Sequence, residues 1–218
     1  MNNVEIYVIV EGQTEQTFIR ELLGPVLSYC GIYLGKPGYK GGAVRFERAK
    51  RDISNFLKQR SDIYISTMFD YYGIETNWLG RADIQSNDTA TKKAEKMENK
   101  TLLEIKKLFP DQNIEKRFIP YIEMHEFEAL LFSDLSTLAN ILGVNSLKID
   151  SILSEYGEPE EINDNHQTAP SKRLQRLCDK EYRKVAMGNV IAKAIGIPTM
   201  REKCPHFNEW LKKLALLV

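Results

Sequence analysis

The sequence predicts an α/β fold, a central and mostly parallel sheet flanked by helices, with a helical C-terminal extension. Three observations carry that reading. The runs "VEIYVIV" (4–10) and "DIYISTMFD" (62–70) have the β-branched and aromatic content of strands covered on both faces. Stretches with apolar residues at helical spacing alternate with them, a pattern that favours a parallel or mixed sheet between helices. Beyond about residue 134 mainly helical patterns remain, with boundaries at Pro159, Pro170, Pro198 and Pro205. The chain thus divides into an α/β core, 1–133, and a helical extension, 134–218, packed on it.

Each element follows from local chemistry. After the first strand, "TEQTFIRELLGPVLSYCG" places Phe18, Leu22 and Leu23 at helical spacing, with Gly31 as a stop. The Gly- and Lys-rich stretch 35–46 reads as a loop or hairpin that ends in a short strand. Residues 47–60 form an amphipathic helix with Ile53, Phe56 and Leu57 inward. The second clear strand runs to Asp70. Residues 71–88 have no stable period and read as a long loop, a kind of segment that is often functional. A charged helix over 89–108 precedes a third strand at 114–122, which Pro120 marks as an edge. "HEFEALLFSD" then switches to helical spacing. Further helices are expected over 134–142, 147–155, 169–179, 183–195 and 206–217.

Composition narrows the function classes. With 218 residues the chain can bury a core without staples. Its 30 basic and 30 acidic side chains cancel, so bulk charge does not advertise a nucleic-acid partner. Such binding would need a local basic patch, or metal ions that offset local acid. The three cysteines have no CxxC spacing, which argues against a zinc ribbon. Their odd count, together with an N-terminus lacking a basic leader region, points to a reduced, cytoplasmic protein. No apolar run approaches the roughly 18 residues of a membrane span.

Acids stand at the predicted strand ends. Glu11 follows the first strand, Asp70 closes the second, and Glu123, Glu126 and Glu128 follow the third. In open α/β sheets, ligands bind outside the carboxyl ends of the strands. Neighbouring strands lie about 4.8 Å apart, so carboxylates from several of them can share one ion. Oxygen-only ligands select Mg²⁺ or Mn²⁺, ions that serve phosphodiester chemistry. Each acid also has a plainer reading. Glu15 suits the dipole of a first helical turn, Glu11 and Asp70 suit turns, and "EFEALLFSD" suits an ordinary amphipathic helix. If 126–133 were α-helical, Glu126 and Glu128 would lie about 160° apart and could not share an ion. Glu126 is therefore the preferred ligand. His125 fits a general base, a metal ligand or a structural hydrogen bond. In "TAPSKR", Lys172 and Arg173 open a helix after Pro170; they could meet a phosphate or form a solvated helix start. Asp164, Asn165 and His166 could line the same cleft, and Gly41 and Gly42, beside Lys40 and Arg45, could let backbone approach a phosphate.

The stretches "VEGQTE", "MFDYYG", "FIPYIEMHEFEALLFSD", "PEEINDNHQTAPSKRL" and "IGIPTMREKCPHFNEWL" resemble the family called domain of unknown function 4276, nearly end to end. The resemblance implies a Toprim-like, Rossmann-like core similar to the nuclease domains of overcoming-lysogenization-defect proteins. It further implies a bacterial phage-defence setting beside an ATPase partner. Carried over residue by residue, Glu11 and Glu15 match the first acid pair, Asp70 the first Asp of an Asp-x-Asp, and Glu126 a later acid. Those four are the expected metal ligands. Glu11, Asp70 and Glu126, with Lys172 as electrostatic helper, are the expected catalytic set. Tyr72 stands where the second Asp belongs, and a phenol is a poor Mg²⁺ ligand at neutral pH. Glu75 or another acid would have to substitute. The expected activity is a Mg²⁺- or Mn²⁺-dependent nuclease on DNA or RNA. The alternative is a non-catalytic Toprim-like subunit that binds nucleic acid or a partner.

Overall fold

The computed structural model describes residues 3–35, 38–39, 44–162, 165–178 and 182–218. Lys40, Gly41, Gly42 and Asp164, and the side chain of His166, lie outside the described residues.

Strand β1 (Val4–Val10) leads into α1 (Gln13–Phe18), a π-helical turn (Ile19–Leu23) and α2 (Gly24–Tyr29). Strands β2 (Ile32–Leu34) and β3 (Gly38–Tyr39) follow, then α3 (Phe46–Gln59), β4 (Ile63–Asp70) and α4 (Ala90–Leu108). A short helix α5 (Ile114–Arg117) precedes β5 (Phe118–Ile119) and β6 (Ile122–Glu123). A 3₁₀ segment (Phe127–Ser133) leads to α6 (Leu135–Leu142), α7 (Ser146–Tyr156) and α8 (Pro170–Leu177). A second π-helical turn (Lys184–Gly188) opens onto α9 (Asn189–Ile195), α10 (Ile197–Lys203) and α11 (Pro205–Ala215).

The sheet is parallel throughout its described pairings, in the order β2-β1-β4-β5. β3 continues the line of β2 along β1, at Ile9 and Val10. β6 continues the line of β5 along β4, at Phe69 and Asp70. The chain moves outward from β1 on one side and crosses to β4 on the other. The strand order therefore reverses between β1 and β4, and that crevice is the topological switch point of an open α/β sheet.

Alternation along the strands feeds two cores. Ile6, Val8, Val10 and Met68 face one layer with α1, α2 and the C-terminal helices. Ile9, Ile65 and Phe69 face the other with α3 and α4. The spacing of Phe46, Ala49, Ile53 and Leu57 gives α3 its buried stripe. The C-terminal third supplies Leu174, Ile191, Met200, Phe207 and Trp210 to the same apolar cluster as β1.

The stretch 114–122 departs from the expected single strand. It opens as a helical turn and then pairs in two pieces interrupted at Pro120, which has no N–H to give a ladder. Two side chains of β4 fill the gap. Ser66 Oγ donates to the Ile119 carbonyl (2.5 Å). Thr67 Oγ1 donates to the Tyr121 carbonyl (3.0 Å) and accepts the Tyr121 amide (2.9 Å). Two further elements, β2 and α10, lie where no strand or helix was expected.

Candidate metal centre

β1 ends one residue before Glu11. Gly12 then takes an extended conformation (φ −135°, ψ −177°) and α1 begins. Glu15, in the first turn, is buried, and its carboxylate folds back toward Gly12, where the nearby backbone N–H groups of Gly12 and Glu15 favour its charged form. A Cβ at Gly12 would lie 2.8 Å from Glu15 Oε2, so the loop leaves little room for a side chain there. β4 runs beside β1 with Val10 opposite Met68, which brings Asp70 out at the same edge. Asp70 accepts the Phe127 amide through Oδ1 (2.9 Å). The turn after it returns Gly73 onto the Glu11 carboxylate: a Cβ at Gly73 would fall 1.7 Å from Glu11 Oε2. Glu11 and Asp70 thus come out at one edge of the sheet, as their strand-end positions predict.

The third side of the crevice comes from the segment after β6. Glu126 is extended (φ −148°, ψ 157°), and the 3₁₀ turns begin only at Phe127. Its Oε2 accepts the Ser171 amide at the start of α8 (2.9 Å). Lys184 Nζ lies 3.7 Å from Glu126 Oε1 and 3.2 Å from Glu128 Oε2. The wheel argument against joint use of Glu126 and Glu128 therefore fails for a physical reason: the backbone there is not α-helical, and both acids reach one cation. Glu128 and Lys184 are the residues that sequence reasoning passed over. Lys184 carried no signal beyond an ordinary helix start, because the π-helical turn that aims it has no sequence period.

Other expected residues occupy defined places. Lys172 is exposed on α8, while the cation placed against the acids is Lys184. Arg173 donates to the Thr168 carbonyl (2.9 Å) and the Tyr156 hydroxyl (2.6 Å). The buried His125 ring stacks on Tyr72 (centroids 5.5 Å, 24°) and meets Tyr71 edge-on (5.5 Å, 82°). Glu75, the substitute considered for the missing Asp, accepts the Phe46 amide through Oε1 (2.7 Å) and so caps α3.

Electrostatics set this crevice apart. Burial first, then the neighbouring Glu15, raises Glu11 to about 7, against a backbone hydrogen bond from Asp70 that pulls the other way. Burial raises Glu128 to about 7, with Lys184 opposing. Asp70 is pushed well above the ordinary carboxylate range by burial, then by Glu15 and Glu11. Burial also raises Glu15. For Lys184, burial lowers the pKa, and Glu128, Glu126 and Asp70 more than reverse this, so it is held charged.

The donor atoms are of the kind that a hard divalent cation takes. All the donors are carboxylate oxygens. Glu11 Oε2 and Glu128 Oε1 are buried without a hydrogen-bond partner, and Glu128 Oε2 faces the Lys184 ammonium. Among the described residues, no three acid, imidazole or thiol groups are placed so that together they could hold a metal ion. The Lys184 ammonium occupies part of the charge-neutralising role that an ion would share.

No helix among the described residues is long and apolar enough to cross a membrane. No curated protein and no solved structure matches the chain. A family model does match, over residues 10–215, the span that carries every strand end, acid and helix just described. The chain belongs to that family, described as domain of unknown function (DUF4276).

Proposed function

We propose that the protein is a Mg²⁺- or Mn²⁺-dependent, Toprim-like nuclease that hydrolyses nucleic-acid phosphodiesters, working in the cytoplasm beside an ATPase partner in phage defence. The observation that carries the activity is that Glu11, Glu15, Asp70, Glu126 and Glu128 act electrostatically on one another and on Lys184 at the switch point of the sheet. Burial and mutual repulsion raise Glu11, Asp70 and Glu128, with Glu15 pressing on each, a penalty that a divalent ion removes. The setting and the ATPase partner rest on the resemblance to the overcoming-lysogenization-defect nucleases alone.

Glu11, Asp70 and Glu126 would hold the ion, with Glu15 and Glu128 supporting it. When bound, the ion supplies charge stabilisation of the phosphoryl oxygens and a more acidic water. The chain does the rest. The Phe127 and Ser171 amides fix the orientation of Asp70 and Glu126. Gly73 leaves room for the Glu11 carboxylate. Lys184, beside Glu126 and Glu128, keeps a positive charge at the lip where a leaving oxygen gains negative charge.

The test has two arms. Mn²⁺ titrated into the protein should raise the melting temperature, and Glu11→Gln with Asp70→Asn should abolish that rise. Mn²⁺-dependent cleavage of labelled DNA and RNA should fall by about 10³-fold or more in the same variants. Stabilisation without cleavage of any nucleic acid would sink the nuclease. It would leave the second reading, a non-catalytic Toprim-like subunit that binds nucleic acid or a partner. That reading is favoured by Tyr72, whose ring is stacked on His125 where a ligating Asp would be expected.

A further inference from the structure

We propose that Arg45, Arg48 and Arg51 form a phosphate-binding track that delivers a nucleic-acid backbone to the acidic crevice; this rests on the nucleic-acid reading above. The chain is neutral as a whole, yet residues 45–52 hold four cations and two carboxylates. One of the carboxylates, Glu47, is paired with Lys50 (2.7 Å). The three arginines are exposed, Arg45 as the extended residue that opens α3, and Arg48 and Arg51 on the helix face turned away from Phe46, Ala49 and Ile53. With Glu47 they line a surface depression of about 520 Å³.

Position makes this more than a solvated helix face. A helix that leads into a parallel strand runs against it, so α3 begins at the carboxyl edge of the sheet, the edge of Glu11 and Asp70. The connection is physical. The Glu11 carboxylate lies against Gly73. The Val44 amide donates to the Gly73 carbonyl (2.9 Å), and the Glu75 amide donates to the Val44 carbonyl (3.1 Å). Arg45 is the next residue after Val44, and the Phe46 amide is held by Glu75 (2.7 Å). One rigid joint therefore carries both the wall of the acid crevice and the root of the arginine track.

The pairing of signs suits a polyanion that must be cut. A phosphodiester backbone is repelled by a crevice of carboxylates, so its affinity has to come from cations beside it. Guanidinium groups, each a planar fork of donors, match phosphate oxygens. A free nucleotide or a small phosphorylated metabolite would need only one such group. Three arginines along successive turns, spaced about 5 Å apart along the helix axis, suit consecutive phosphates.

Binding measured without metal tests the track apart from the chemistry. Fluorescein-labelled 20-mers of single-stranded DNA, duplex DNA and RNA are titrated with the full chain in EDTA, at several salt concentrations, by anisotropy. The Arg45→Glu/Arg48→Glu/Arg51→Glu protein should lose on the order of 10- to 100-fold in affinity. Its salt slope should drop by about 2 to 3, roughly one for every phosphate no longer neutralised. The triple Arg→Lys protein should keep most of the slope, and a circular dichroism melt of each variant reports its fold. Unchanged affinity and slope in the charge-reversed protein, or no binding of any probe by the wild type at about 50 mM salt, overturns the track. Mn²⁺-dependent cutting that ignores the arginines overturns the track and leaves the nuclease. Arginine-dependent binding without cutting keeps the track and overturns the nuclease.

Discussion

Among the described residues two groups of carboxylates are buried, and they are built to different rules. In the group under α11, Glu160 accepts the His206 and Phe207 amides (2.9 and 2.8 Å). Glu98 Oε1 accepts the Ile122 amide (2.9 Å) and lies 2.9 Å from His206 Nε2. Burial pulls the His206 pKa down, and Glu98 and Glu160 together more than reverse this. In the crevice at the strand ends, Glu11 and Glu128 keep buried oxygens without good partners. Glu123 lies between the two groups. Its Oε2 takes the Tyr121 hydroxyl (2.6 Å), its Oε1 takes nothing, and burial raises it well above the usual range. The lesson is that burial alone does not mark a functional acid. Satisfied acids hold elements together; acids left facing one another hold a place for a cation.

Variants at the two sites should therefore fail in different measurements. The largest effect expected is catalytic. Lys184→Ala should lower Mn²⁺-dependent cleavage by about 10²-fold, and Lys172→Ala by no more than a few-fold. Equal losses would show that Lys184 is not the cation that matters. Next comes stability. Glu160→Ala strands two buried amides at the start of α11. It should cost roughly 2–3 kcal/mol, a fall of about 4–12 °C in melting temperature, with cleavage at room temperature unchanged. A Glu160→Ala protein that melts normally would break the contrast between the groups.

The smallest effect is in pH. Glu11 and Glu128 sit at about 7 when folded, against 4.5 ordinarily. Between those values the folded protein holds protons that the unfolded chain releases, so stability falls as pH rises through the window. The metal-free protein should gain on the order of 1–3 kcal/mol from about pH 8 to about pH 5. Glu11→Gln should shrink that gain, and saturating Mn²⁺ should flatten it. A flat profile without metal would mean that these acids are not strained.

Some of this was written in local sequence and some was not. β1 and β4 were legible because a strand covered on both faces spells a continuous apolar run, and that run put Glu11 and Asp70 at one edge. Glu15 was singled out through the resemblance, since on its own it suited the dipole of a first helical turn equally well. Glu128 was lost to an assumed α-helix, since "HEFEALL" has the same apolar spacing in 3₁₀ turns that start from an extended Glu126. Lys184 depends on contacts made across more than fifty residues, which no window can display. Tyr72 was visible as a departure, but its stacking on His125 was not. β2 is three residues long between glycines, too short to carry a period.

Trp210 Nε1 donates to Ser66 Oγ (2.9 Å), and its ring lies flat on Tyr121 (4.3 Å, 8°). The last helix is thereby fastened to the middle of the sheet. During synthesis, which proceeds from the N-terminus, the acids of the crevice emerge long before Lys184 and α11. A growing chain carries its full set of repelling carboxylates with neither their counter-charge nor the lid over the apolar face. Those acids meet their folded surroundings only once Lys184 and α11 have been made.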